Sequence, residues 1–177
     1  MSMPHGDPAA GFPANDDPTG HAVHTPAGAG TAVWAMGSLF EIALSPAATG
    51  GTIGLAHVTQ PPGIATPLHR HQREAEVFYV LAGSLRYEAG GVVHELTAGS
   101  TMYLPRGVPH RFRITGSEAA RLLAITVPAG LLDLYTEVGV PAETRNLPAH
   151  RDPAEFARWG EVAPRYGLEV LGPPLEA

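Results

Sequence analysis

Between residues 31 and 127 the chain is divided into short apolar runs by turn residues, at 32–36, 39–44, 52–59, 76–81, 84–88, 92–96, 100–104, 110–114 and 121–127. Many short strands separated by Gly and Pro lead to a β-sandwich or barrel. Ala89-Gly90-Gly91 predicts a hairpin between two of these runs, because its two glycines supply the positive backbone angles of a tight turn. The chain has 177 residues, a single-domain length able to bury a sizeable core, and no cysteine, so that core forms without disulfides.

The flanks differ from this centre. Residues 1–30 are rich in Pro, Gly, Ala and Asp, a composition that buries little apolar surface and predicts a loosely draped arm. His5, His21 and His24 are irregularly spaced in it and read as solvated, as do His94 and His150 elsewhere. After Val127 the pattern turns helical, with Leu131, Leu134, Tyr135 and Val138 on one face. Asp152, Pro153 and Glu155 then predict a second helix start, with Asp152 as N-cap, Pro153 in the first position and Glu155 three residues after the cap. Phe156 and Trp159 would face the core from this helix, Gly160 and Pro164 would kink or end it, and Tyr166-Gly167 would stop it. The expected organisation is therefore an arm at 1–30, a β-barrel at 31–128 and a helical extension at 129–177.

Chemistry concentrates in two segments. The first runs from Gly63 to Gly83 and carries His69, His71 and Glu76; the second runs from Gly99 to Ile114 and carries His110. On an extended strand His69 and His71 point the same way and can bind one ion together. With Glu76 and His110 brought from other strands they make a three-His, one-Glu shell that suits Fe, Ni, Mn, Co or Zn and leaves coordination positions open. Glu74, two residues from Glu76, is a fallback ligand on the same strand face.

The spacing of these segments resembles the paired motifs of the cupin superfamily. In the first, Gly63 precedes His69-Arg70-His71 by five residues, four residues separate His71 from Glu76, and six separate Glu76 from Gly83. The second has Gly99, five residues, Pro105-Arg106-Gly107, two residues and His110; Ile114 then departs from the family's Asn. The 15 residues from Ser84 to Ala98 lie between the motifs. The resemblance implies an all-β, cupin-type jelly-roll β-barrel (a double-stranded β-helix) with one or two C-terminal helices, one divalent transition-metal ion, and a homodimer paired through edge strands. Within the superfamily, the stretch from His69 to Val80 and the layout after Pro128 are most similar to the quercetin 2,3-dioxygenase-like group. That narrower likeness implies Glu76 as catalytic base.

Strand phase extends the site. If Glu76 points inward, Phe78 and Val80 share its face, and Phe112 and Ile114 follow His110, giving an apolar pocket wall. His57, read in phase with Leu55 and Thr59, is a further candidate pocket residue. Such a wall suits a flat or hydrophobic organic ligand, so the expected function is a metal-dependent dioxygenase acting on a small hydroxylated aromatic or enolic compound, with dioxygen as co-substrate and flavonol-type ring cleavage as the leading case. The alternatives are a non-redox isomerase, cyclase or lyase of specialised metabolism, and a metal- or small-molecule-binding protein without catalysis. A formal charge of -6 with no basic run argues against nucleic acid and anionic membrane as partners, and the lack of a long apolar segment leads to a cytoplasmic expectation.

Overall fold

The computed structural model describes residues 20–150, 152 and 154–176. Most of the expected arm, including His5, lies outside them, as does Pro153. The elements run β1 (Thr31–Ala35), β2 (Ser38–Leu44), β3 (Gly54–Gln60), β4 (Pro67–His71), β5 (Ala75–Ala82), β6 (Ser84–Ala89), β7 (Val92–Thr97), β8 (Thr101–Leu104), β9 (His110–Ile114) and β10 (Ala120–Val127). Then come α1 (Leu131–Val138), β11 (Val140–Pro141), α2 (Ala154–Val162), a 3-10 turn (Ala163–Tyr166) and β12 (Leu168–Pro174). Two antiparallel sheets result, ordered β11-β1-β2-β3-β10-β5-β8 and β12-β4-β9-β6-β7, as in the cupin jelly roll.

Period-two alternation builds the core between the sheets. Phe78 and Val80 on β5, Leu85 and Tyr87 on β6, and Phe112 and Ile114 on β9 are all buried, while Tyr79 and Leu81 face outward. Gly90 and Gly91, with φ of 57° and 81°, make the two-residue turn of the β6–β7 hairpin. At Gly83 the φ is 86° and an added Cβ would stand 2.8 Å from the Ala120 Cα, so a side chain is excluded by backbone on the neighbouring strand.

α1 lays Leu131, Leu134 and Val138 into the core on the expected face. For α2 the Asp152 Oδ1 accepts from the Ala154 N–H at 2.9 Å, the N-cap contact, but Glu155 does not close a capping box. Its carboxylate instead accepts from the Gly37 N–H at 3.1 Å, joining α2 to the β1–β2 turn. Gly167 ends the 3-10 turn at φ 74° and donates back to Ala163 and Pro164.

The region after residue 129 is not purely helical. β11 adds to β1, and β12 adds to β4 with Leu168 opposite His71 and Val170 opposite His69. Gly172, Pro173 and Pro174 hide this strand from a sequence reading. They are tolerated because an edge strand needs hydrogen bonds on one side only, and the register shifts around Gly172. Of the arm, Thr25 donates to the Ala43 carbonyl at 2.6 Å, and Arg145 reaches the carbonyls of Gly28 and Gly30. His21 and His24 are exposed, as are His94 and His150. Among the described residues no helix is long and apolar enough to cross a membrane.

Candidate metal centre

β4 and β9 place three imidazoles side by side. His69 stands directly opposite His110 in the ladder, and His71 follows two residues on from His69 with the same facing. The possible ligand atoms of the three lie within 4.8 Å of one another. Their ring centroids are 4.3 Å apart for His69 and His110, and 5.1 Å for His71 and His110. From the other sheet β5 contributes Glu76, whose Oε2 is 3.8 Å from the Nε2 of both His71 and His110.

Backbone carbonyls orient two of the rings. His69 Nδ1 pairs with the Pro67 carbonyl at 2.7 Å and His110 Nδ1 with the Val108 carbonyl at 2.9 Å. A carbonyl can only accept, so each Nδ1 carries the proton and each Nε2 presents a lone pair to the shared space. Burial, reinforced by the neighbouring imidazoles, lowers His69 to about 3 and His71 to about 2; burial also lowers His110. At neutral pH all three are neutral, the form that binds metal. Burial, with the charge of Glu74 second, pushes Glu76 up to about 8.

These residues fit a divalent ion on their own terms. His71 Nε2 and His110 Nε2 are buried without a hydrogen-bond partner, and a buried acceptor left so costs roughly 1–3 kcal/mol. A cation within reach would satisfy both nitrogens and offset the cost of an ionised Glu76, which desolvation alone disfavours. Three nitrogens and one carboxylate suit the borderline first-row ions.

A cavity of about 40 Å³ adjoins the cluster. Phe78 and Phe112 line it. Val80 and Ile114 are buried on the same faces but do not border it. His57 is exposed on the outer face, opposite Glu41 on β2, because β3 turns Ala56, Val58 and Gln60 inward. The segment Leu55 to Gln60 alternates weakly enough that either phase was open, and the phase taken from Leu55 is the wrong one. Glu74 is buried, yet its Oε1 lies 3.5 Å from where a Cβ on Gly130 would sit, at the start of α1 and away from the cavity lining. Reading strand faces from the two motifs missed Gln60, Tyr87 and Trp159 as cavity walls. For Trp159 the helical phase of α2 was the available signal; it meets the His69 ring edge-on, centroids 5.9 Å apart at 88°.

Residues 56–126, which include both motifs, match the family model described as Cupin domain. Over 76 residues the chain is 40% identical to Protein SchB of Streptomyces halstedii, covering 43% of this chain and 54% of that protein. It is 36% identical over 76 residues to Polyketide synthase CurC of Streptomyces cyaneus, covering 43% of this chain and 48% of that one. The chain thus spans about half the length of these curated relatives. An RmlC-like cupin structure from Shewanella frigidimarina shares the fold, with TM-score 0.52 and 22% identity over 61% of this chain and 93% of that one. The cupin-domain match covers both motifs, and the Shewanella structure shows the same fold.

Proposed function

We propose that this cupin-fold chain is a metal-dependent dioxygenase acting on a small hydroxylated aromatic or enolic compound, with flavonol-type ring cleavage as its leading form. The observation that carries this reading is the convergence of three neutral imidazoles and one buried carboxyl on the edge of an enclosed, largely apolar cavity. His69, His71, Glu76 and His110 would hold the ion, which when bound would supply Lewis acidity and an open position. Glu76 is the acid-base group: metal-free, burial keeps its proton on up to about 8, and a bound ion would hold it ionised, able to take a proton from an enol or phenol in the cavity and return it later. Phe78, Phe112 and Tyr87 exclude water and offer flat surfaces to a ring.

One observation favours a second reading. The relative whose name is Polyketide synthase CurC associates this sequence type with polyketide chemistry, for which a non-redox cyclase or isomerase using the same Glu76 is an apt form. Elemental analysis of protein purified without added metal, followed by an oxygen-uptake screen over flavonols and other enolic aromatics, tests the first reading. Glu76→Gln should abolish uptake by at least about 100-fold, the usual scale of acid-base catalysis. Unchanged turnover in that variant removes Glu76 from the mechanism, and turnover that persists without oxygen selects the second reading.

Pairing of two copies belongs to the same proposal. β8 ends the seven-stranded sheet; its Tyr103 is 62% exposed, and Tyr79 and Leu81 on the neighbouring β5 are each 39% exposed. An open edge with an apolar flank is a template for association. Sedimentation should show a dimer that Tyr103→Glu weakens; a monomeric wild type at micromolar concentration refutes it.

A further inference from the structure

Metal coordination cannot account for all the unpartnered polar atoms around the cavity. Besides the imidazole nitrogens, Gln60 Oε1, Tyr87 OH and Trp159 Nε1 are buried without a hydrogen-bond partner, and all three residues border the same space. They come from three separate elements, β3, β6 and α2. Buried polar atoms are nearly always paired in native proteins, so three together in one cavity mark where a ligand's polar atoms belong. The indole N–H is decisive because it can only donate: no cation can satisfy it, and its partner must be an acceptor atom.

We propose that Trp159, Gln60 and Tyr87 are substrate-positioning residues that select an uncharged, flat hydroxy-carbonyl compound, the indole N–H and the phenol holding its acceptor oxygens while Gln60 Oε1 accepts from its hydroxyl. The inference rests on the metal-centre reading above and narrows its substrate. Among the described residues no Lys or Arg side chain borders the cavity, so a phosphate or a dicarboxylate would find compensating charge only at the bound ion, which Glu76 already half neutralises. The remaining walls include Phe40, Phe78 and Phe112, which suit a ring. The space is small, about 40 Å³, enough for roughly three waters, so a ring enters only as a wall moves. α2 is the wall suited to it, since Trp159 is its one buried residue and seats the helix on the barrel.

The test uses the full chain loaded with cobalt(II) under anaerobic conditions, titrated with maltol as the uncharged hydroxy-ketone and benzoate as a carboxylate of similar size, and followed by the cobalt visible bands. Maltol should bind the wild type more tightly than benzoate. Trp159→Phe keeps the ring and removes the N–H; it should weaken maltol roughly 3- to 30-fold, the range for one lost hydrogen bond to a buried donor, with cobalt affinity unchanged. Gln60→Leu should act in the same direction. Equal maltol affinity in Trp159→Phe overturns the proposal, as does benzoate binding as well as maltol, or no maltol binding to the loaded wild type. A drop in cobalt affinity that explains the whole effect assigns Trp159 to seating His69 instead and also overturns it. Protein that takes up no divalent ion refutes the metal centre itself, a failure that elemental analysis separates from the others. A second readout needs no variant at Trp159: in zinc-loaded Trp34→Phe protein, the remaining indole ¹⁵N–H resonance should move downfield on adding maltol, and an unmoved resonance means water alone fills the space.

Discussion

His71 differs from its two partners in having both ring nitrogens buried and unpartnered, whereas His69 and His110 are each fixed by a backbone carbonyl. The cost of holding such groups together should appear as a pH profile of the metal-free protein. In the folded state His69, His71 and His110 all titrate below the ordinary 6.5, so on acidification the unfolded chain takes up protons that the folded chain refuses, and stability falls as pH drops below about 6.5. Glu76 has the opposite sign: folded, it keeps a proton up to about 8 that the unfolded chain loses near 4.5, so stability declines as pH rises through that window. Three histidines outweigh the carboxyl below 6.5, and only the carboxyls act above it. Thermal midpoints of chelated protein should therefore peak near pH 6.5, and loading with a divalent ion should remove the alkaline decline. A flat profile between pH 5 and 8 would show that the cluster is hydrated. The four candidate ligands were legible because their spacing is local to two motifs; His57 was misplaced because the phase of β3 is set by the strands beside it.

At the scale of elements, the turn chemistry gives the sharpest contrast. Gly83 and Gly91 both have positive φ, 86° and 81°, but a Cβ on Gly83 would meet the Ala120 backbone at 2.8 Å, while one on Gly91 would meet nothing within 4 Å. Gly91→Ala should cost roughly 1–2 kcal/mol, the left-handed backbone strain alone. Gly83→Ala adds overpacking against a neighbouring strand and should cost roughly 1–3 kcal/mol more in urea unfolding. Equal losses would mean that β6 or β10 yields readily. The hairpin around Gly90 and Gly91, the buried face of α1 and the start of α2 could all be read from residue pattern, since each is decided by neighbours in sequence. β12 could not: Pro173 and Pro174 argue against a strand, and only the free edge of β4 makes one there. β4 itself was recognised only through its two histidines, because its five residues are too few to display a period. The carboxylate of Glu155 was missed for the same reason as β12, its partner being Gly37 on a turn 118 residues away.

For the whole molecule, the candidate ligands do not belong to one sheet. His69, His71 and His110 stand on the five-stranded sheet and Glu76 on the seven-stranded one, so a bound ion would join the two across the core. An ion that binds the folded chain and not the unfolded one stabilises by about 2.7 kcal/mol at a hundredfold excess over its Kd. In a domain of this size that corresponds to roughly 5–10 °C in thermal midpoint. Chelation should lower the midpoint by this amount and re-addition should restore it, with a dependence on ion concentration that an unspecific salt effect would not show. His71→Ala and His110→Ala should abolish the response, because each removes a nitrogen of the compact triad. Glu76→Gln should reduce it and raise the metal-free midpoint at pH 8, since it removes the buried carboxyl that burial disfavours in its charged form. His57→Ala should leave it unchanged, its side chain being exposed on the outer face. A metal response that survives His71→Ala and His110→Ala together would place the ion elsewhere on the molecule and detach the proposed chemistry from this cavity.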